Sequence, residues 1–221
     1  MKIEIVKMDI SDSLKYNTSI TVELLRSNDL WKIEVPHTIE NNELIHQLST
    51  ADDLVDKYAE ILSDEFQAYN YKNEYKSIKK RFICSTSTQL NKAVVLPSTV
   101  DISDDFEKYG IKRKSWYGDN YFYRGFGTVV DGELLSWCIE NSHFLEDGST
   151  EIGVATDENH RQKGYAVSNV AAPCDCLINN GLSKIYYECA PDNIASFCTA
   201  KKANLEYVED VFYLGFRKEK N

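Results

Sequence analysis

Residues 151–166 read Glu-Ile-Gly-Val-Ala-Thr-Asp-Glu-Asn-His-Arg-Gln-Lys-Gly-Tyr-Ala, "EIGVATDENHRQKGYA". The first six, Glu151 to Thr156, form a short strand-like run, and the polar stretch "DENHRQKG" then breaks it. From Gly164 to Asn180 the apolar residues Val167, Val170, Ala171, Cys174, Leu177 and Ile178 fall on one helical face. The stretch is therefore a strand, a turn and a helix. The first-turn amides of a helix have no partner inside it, and the helix dipole adds partial positive charge there. A pyrophosphate suits such a place. Gly164 carries no Cβ to hold an anion off the backbone, and Arg161 and Lys163 add charge. Glycine before a helix is also an ordinary turn residue, so the surrounding chain has to decide.

Around this stretch the second half of the chain is regular. "YFYRGFGTVV" and "ELLSWCIEN" flank Asp131-Gly132, a two-residue hairpin signal because glycine tolerates positive φ. Gly181 after Asn180 stops the helix, and Pro173 inside it predicts a kink. "KIYYECA" reads as a strand and Asn193–Ala203 as a second helix, followed by two closing strands, "EYVED" and "VFYLGF".

The first half reads as mixed α and β. Ile3, Ile5, Met8 and Ile10 alternate; Ile20, Val22, Leu24 and Trp31, Ile33, Val35 form a hairpin across "RSND". Thr50, with Asp53 three residues on, opens a helix whose stripe is Leu54, Tyr58, Ile61, Leu62, Phe66 and Tyr69. "NYKNEYKSIKK" (70–80) reads as an exposed connector, "RFICSTS" and "KAVVLP" as short strands, and "STVDISDDFEKYG" as the opening of a short helix.

The chain has 221 residues, 43% of them hydrophobic, enough for one well-buried domain or a domain with a further lobe. The alternating start "MKIEIVKMDI" is unlike a signal peptide, and no run approaches the ~20 apolar residues of a membrane span. Six cysteines scattered without an export signal point to reduced thiols in a cytoplasmic protein. A formal charge of −10 argues against a nucleic-acid or anionic-membrane surface and is compatible with a cationic substrate.

Other phosphate motifs are absent: there is no G-x-x-x-x-G-K-[ST], and Gly125-Phe126-Gly127 is not completed by a glycine at Val130. "EIGVATDENHRQKGYA" instead resembles the acetyl-coenzyme A site of the GNAT acetyltransferases, whose signature [QR]-x-x-G-x-[GA] is matched by Arg161, Gly164 and Ala166. "NIASFCTAKKANLEY" resembles the second motif of that family through Asn193 and Lys202. With "GELLSWCIEN" and "YYECAPDNIAS", the likeness is closest to the branch containing the zwittermicin A resistance acetyltransferase and covers roughly residues 106–215. The division it suggests is an N-terminal α/β region, 1–105, of unclear affiliation, and a GNAT-like domain, 106–221.

The resemblance implies an α/β fold, a twisted mixed sheet flanked by helices and opened between its fourth strand (150–156) and fifth strand (184–190). It implies that backbone groups of Val154 and Thr156, with Ala155 between them, pair with the pantetheine arm and acetyl group. Amides of Arg161, Gln162, Lys163, Gly164, Tyr165 and Ala166 would hold the pyrophosphate. The activity implied is acetyl transfer from acetyl-CoA to a primary amine of a small cationic molecule, by direct attack in a ternary complex. The alternative is a non-catalytic acyl-CoA sensor with a protein partner. The chain departs from the family pattern at Ala200, where the usual tyrosine acid is missing, and at Asn204-Leu205 in place of Gly-Phe. Asn tolerates left-handed φ, so the helix cap survives.

Glu151, the carboxylate within the fourth-strand run, reads equally as a general base, direct or through water, and as a salt-bridged strand residue. Asn193 reads as a pantetheine ligand or a helix cap, and Ser196 is a weaker candidate on the same face. Ser136 and Cys138 lie on the neighbouring strand, with packing favoured for Cys138. His37, His46, His143 and His160 show no ligand spacing, and Cys174 and Cys176 face different ways on a helix, so no metal is expected. The partners expected are an amine acceptor, no nucleic acid and no membrane, for a monomer or homodimer.

Overall fold

The computed structural model describes residues 1–9, 19–51, 53–111, 124–140 and 148–219. The chain packs as two compact units, Met1–Lys80 with Glu209–Asn221, and Arg81–Val208. The sequence reading places its boundary at 105/106 instead. No composition shift marks 80/81 or 208/209, because each falls inside a continuous strand.

The first unit contains β1 (Lys2–Met8), β2 (Ser19–Ser27), β3 (Leu30–Pro36), α1 (Asn41–Ser49) and α2 (Leu54–Gln67). Most of β4 (Tyr71–Ser85) and of β10 (Glu206–Lys218) also belongs to it. Its strands run in the order β1-β3-β2-β10-β4. The expected hairpin forms, with Ser27 opposite Leu30 and Asn28 in the turn at φ 53°. Inward residues Val22, Leu24, Ile33 and Val35 meet Leu48, Tyr58, Leu62 and Phe66 of the helices in one apolar core. Thr50 follows the end of α1 rather than opening a helix, and Asp53 is itself the N-cap of α2, accepting from the Asp56 N–H at 3.0 Å. α1 itself is not anticipated from the sequence, since it buries only Leu44 and Leu48.

The stretch read as a connector, 70–80, is mostly strand β4. Its middle is polar and exposed, so it shows no period-2 apolar signal; its ladder partners come from distant sequence. The two closing strands are likewise one continuous β10. Asp210, which looks like a break, is buried and ion-paired to Arg26 at 2.5 Å and Lys80 at 3.2 Å.

The second unit contains the end of β4, β5 (Thr99–Asp101), β6 (Gly125–Val130), β7 (Glu133–Glu140), β8 (Ser149–Thr156), α3 (Tyr165–Asn179), β9 (Lys184–Cys189) and α4 (Ile194–Lys202). Its strand order is β4-β9-β8-β7-β6-β5. β5 to β8 are antiparallel neighbours, whereas β8 and β9 are parallel and joined by the crossover helix α3. Asp131 and Gly132 take φ 51° and 84° in the β6–β7 turn, as the hairpin signal predicts. "KAVVLP" is a single 3-10 turn at Lys92–Val94 rather than a strand, and "STVDISDDFEKYG" holds β5 and turns rather than a helix. α3 continues through Pro173 to Asn179. Val170, Ala171, Cys174 and Leu177 of α3 pack with Phe82, Cys138, Ile152, Ile185 and Ala200.

Gly125 and Gly127 have a packing role. A Cβ on Gly125 would lie 2.3 Å from the ring of buried Phe106, and one on Gly127 would lie 2.4 Å from Leu134. Gly125→Ala is therefore expected to overpack this site and cost about 1–3 kcal/mol in thermal or denaturant unfolding.

Candidate functional site

The site begins where two parallel strands part. The β8–β9 ladder runs from Ser149↔Lys184 to Ile152↔Tyr187 and stops, although β8 continues to Thr156 and β9 to Cys189. On the other side β8 stays paired to β7 as far as Thr156↔Ser136, and the Asp157 N–H donates to the Leu135 carbonyl at 2.9 Å. Backbone groups alternate sides along a strand, so Gly153 and Ala155 bond toward β7. Val154 and Thr156 then present their N–H and C=O groups to the gap.

A cleft of about 810 Å³ occupies that gap. Val154, Ala155 and Thr156 form one wall, Arg161, Gln162, Gly164, Tyr165 and Ala166 close one end, and Asn193 and Ser196 line the wall from α4. The closed end is the start of α3. Gly164 is the N-cap at φ 82°, and the first intrahelical bond runs from the Ser168 N–H to its carbonyl at 3.0 Å. The amides of Tyr165, Ala166 and Val167 precede that bond and have no acceptor within the helix. Gln162 is also left-handed, at φ 63°, which the sequence does not reveal. A Cβ built on Gly164 meets nothing within 4 Å, so that space is open.

Neither Lys163 nor Glu151 has a place in the cleft lining. Lys163 is exposed and does not line the cleft, because the turn points its side chain to solvent. Glu151 is in register with Tyr186, whereas its neighbour Ile152 is in the core under the helices. Alternation along β8 therefore puts Glu151 on the opposite face of the sheet, half-buried. Asn193 is a helix cap, its Oδ1 accepting from the Ser196 N–H at 3.1 Å at the start of α4, and it also borders the cleft. Ser136 Oγ, 2.9 Å from the Ala155 carbonyl and 2.8 Å from Thr156 Oγ1, fastens β7 to the cleft wall. Cys138 is fully buried, and burial pushes its thiol pKa up, with Glu140 adding to the effect.

The cleft also takes in Ala195, Cys198, Thr199 and Lys202, which follow the i, i+3, i+4, i+7 spacing of one helix face. That spacing along α4 was the available signal. Asn204 follows α4 at φ 65°, the left-handed conformation expected of it. His160 borders the cleft too, its Nδ1 held 2.9 Å from Asp157 Oδ1. The His160 hydrogen bond, then the Asn159 N–H, hold the Asp157 carboxyl below its ordinary 3.8. A lowered pKa means that this turn is favoured above pH ~4 and loses the contribution as pH falls through the depressed value. Carboxyl-carbon NMR should show Asp157 titrating below 3.8, and His160→Ala should move the midpoint up.

Among the described residues no three His, Cys, Asp or Glu side chains gather as a metal site, and no helix is long and apolar enough to cross a membrane. His143 and the tyrosines of "YFYRGF" lie outside the described residues.

No family model matches the sequence, and no curated protein is significantly similar to it. Among solved structures, the chain is similar to a protein assigned to the GNAT acetyltransferases from Novosphingobium aromaticivorans. The two are 13% identical over 68% of this chain and 69% of that one, with a TM-score of 0.50. A Drosophila protein is 13% identical over 75% of this chain and 59% of its own, with a TM-score of 0.51. A GCN5-related N-acetyltransferase-like protein from Streptococcus suis is 15% identical over 91% and 85%, with a TM-score of 0.49. Likeness at this identity concerns the fold. The chain has the mixed α/β fold of the GNAT acetyltransferases.

Proposed function

We propose that the protein transfers an acetyl group from acetyl-CoA to a primary amine of a small cationic molecule. The observation that carries this is the parting of β8 and β9 beyond Ile152↔Tyr187, which turns Val154 and Thr156 toward a cleft ending at the bare amides of α3. The pyrophosphate would sit at Gly164–Ala166, with Arg161 and Lys202 supplying charge. The pantetheine arm would pair with Val154 and Thr156 as an added strand does. The amine nitrogen attacks the thioester carbonyl directly, and the C–S bond breaks as the tetrahedral intermediate collapses. Glu151, on the other face of β8, is the carboxylate we assign to take the amine's proton, directly or through water. The net charge of −10 supports a cationic acceptor. The likeness of "GELLSWCIEN" and "RQKGYA" to the zwittermicin A resistance branch favours an aminopolyol, aminosugar or polyamine. We place the activity in the cytoplasm, in a monomer or homodimer.

The test is release of free thiol from acetyl-CoA against a panel of such amines. Turnover with at least one supports the proposal. Cofactor-induced thermal stabilisation of order RT ln(1 + [L]/Kd) without turnover by any amine would replace it with an acyl-CoA sensor.

A further inference from the structure

A second cavity, of about 820 Å³, borders the cleft and shares Gly164, Val167 and Lys202 with it. Another wall of this cavity comes from residues 89–96, which lie upstream of the stretch that resembles the acetyltransferase family. That segment is tied down along its length. The Asn91 N–H and Nδ2 donate to the Ala203 and Lys202 carbonyls at 3.3 and 3.1 Å, at the end of α4. The Leu96 N–H donates at 2.9 Å to the Oγ of buried Ser168 on α3. Asn204 Nδ2 donates to the Gln89 carbonyl at 2.5 Å. Asn204 stands where the family pattern has glycine, which has no side chain to make that bond, and its φ of 65° suits either residue.

Two cavities that meet at Gly164 match a ligand with an arm on either side of a pyrophosphate. Coenzyme A has that plan, with pantetheine on one side and a 3′-phosphorylated adenosine on the other. The second cavity falls within the ~300–1,000 Å³ of small-molecule sites, and its make-up suits a nucleotide. Leu90, Val94 and Leu96 offer apolar surface to the faces of a purine. The exposed side chain of Gln89 lines it too, and a carboxamide of this kind pairs two-pronged with an adenine edge. α4 ends here, and its dipole puts partial negative charge where a phosphate would come. Lys201 and Lys202, in its last turn, supply the opposite charge, and Lys201 borders this cavity but not the cleft. We propose that residues 89–96 and the end of α4 hold the 3′-phosphoadenosine of coenzyme A. The protein is then selective for free coenzyme A thioesters over the same acyl group on the phosphopantetheine of a carrier protein. This rests on the acetyl-CoA reading above. A carrier-bound arm stops at its single phosphate beside Gly164 and leaves the second cavity unfilled.

The probes are coenzyme A, dephospho-coenzyme A and 4′-phosphopantetheine, each titrated calorimetrically into the full chain. The wild type should bind coenzyme A roughly tenfold or more tighter than 4′-phosphopantetheine. Lys201→Ala should weaken coenzyme A roughly threefold to tenfold and leave the other two unchanged, as loss of a contact to the 3′-phosphate requires. Gln89→Ala should weaken coenzyme A and dephospho-coenzyme A by the same factor and spare 4′-phosphopantetheine. Asn204→Gly, which keeps the left-handed backbone and cuts the tether, should show the same pattern. A tether that only held the fold together would instead lower the melting temperature and leave the ratios between the three affinities unchanged. Equal affinity of the wild type for all three overturns the inference and leaves the acetyl-CoA reading standing. So does a selectivity indifferent to Lys201 and Gln89, or a loss in those variants that extends to 4′-phosphopantetheine. A wild type that binds none of the three overturns both.

Discussion

Gly164→Val is expected to weaken acetyl-CoA binding roughly tenfold to a hundredfold for each phosphate hydrogen bond it displaces, and to destabilise the protein as well. The affinity loss follows from the open space beside Gly164: a Cβ there meets no protein atom within 4 Å, so the side chain would stand in the cleft. A charge-assisted hydrogen bond contributes about 1.5–3 kcal/mol. The stability loss has a separate cause. At φ 82° an L side chain is strained, at roughly 1–2 kcal/mol and more for a β-branched residue. Gly164→Asn separates the two effects, since asparagine tolerates left-handed φ yet still fills the cleft. It should keep most of the melting temperature and lose affinity, by the same factor for dephospho-coenzyme A, which retains the pyrophosphate. Normal affinity in a well-folded Gly164→Asn protein would mean that the turn does not hold phosphate.

Glu188→Ala is expected to be the most destabilising of the substitutions considered. Glu188 on β9 lies 2.6 Å from Arg81 Nε on β4, with side chains only 8% and 12% exposed, and the guanidinium also sits 5.0 Å over the Tyr186 ring. Removing one partner of a buried ion pair costs about 3–5 kcal/mol, because the other charge stays desolvated. For a chain of this size that is a fall of roughly 6–20 °C in melting temperature. Replacing both, Arg81→Met with Glu188→Leu, should recover most of the loss, since apolar packing of similar volume serves as well. A double variant no more stable than Glu188→Ala would show that the arginine acts through its other contacts.

The fold was legible where periodicity and special backbone residues coincide. Asp131-Gly132 predicts its hairpin, Asn193 its helix cap, and Val167 to Leu177 the buried face of α3. It was illegible where tertiary partners supply what local sequence lacks. Lys72 to Lys76 form a strand although exposed throughout. Asp210 sits mid-strand because Arg26 and Lys80 neutralise it from positions 184 and 130 residues away. The site shows the same division. The signature residues locate Arg161, Gly164 and Ala166 at the cleft's end, because backbone geometry there is local. Alternation with Ile152 sets which face Glu151 takes, but the end of the β8–β9 ladder at Ile152↔Tyr187, which opens the cleft, is a long-range pairing that no spacing within "EIGVAT" encodes.

The strand order β3-β2-β10-β4 also puts the first unit on a translation clock. Its β2 pairs with β10 from Ser19↔Arg217 to Arg26↔Asp210, and the last of these pairs lie 184 residues apart. At about 5–20 residues per second a ribosome needs roughly 10–40 s to cover that distance. Throughout that interval β2 has one edge without its neighbour, and Leu214 and Phe216 of the unit's core have not been made. A nascent chain stalled between α4 and β10 should therefore hold a complete cleft wall but an unsealed sheet. That makes this interval the point in the protein's life at which a chaperone, or a second nascent copy offering its own strand, has most opportunity to intervene.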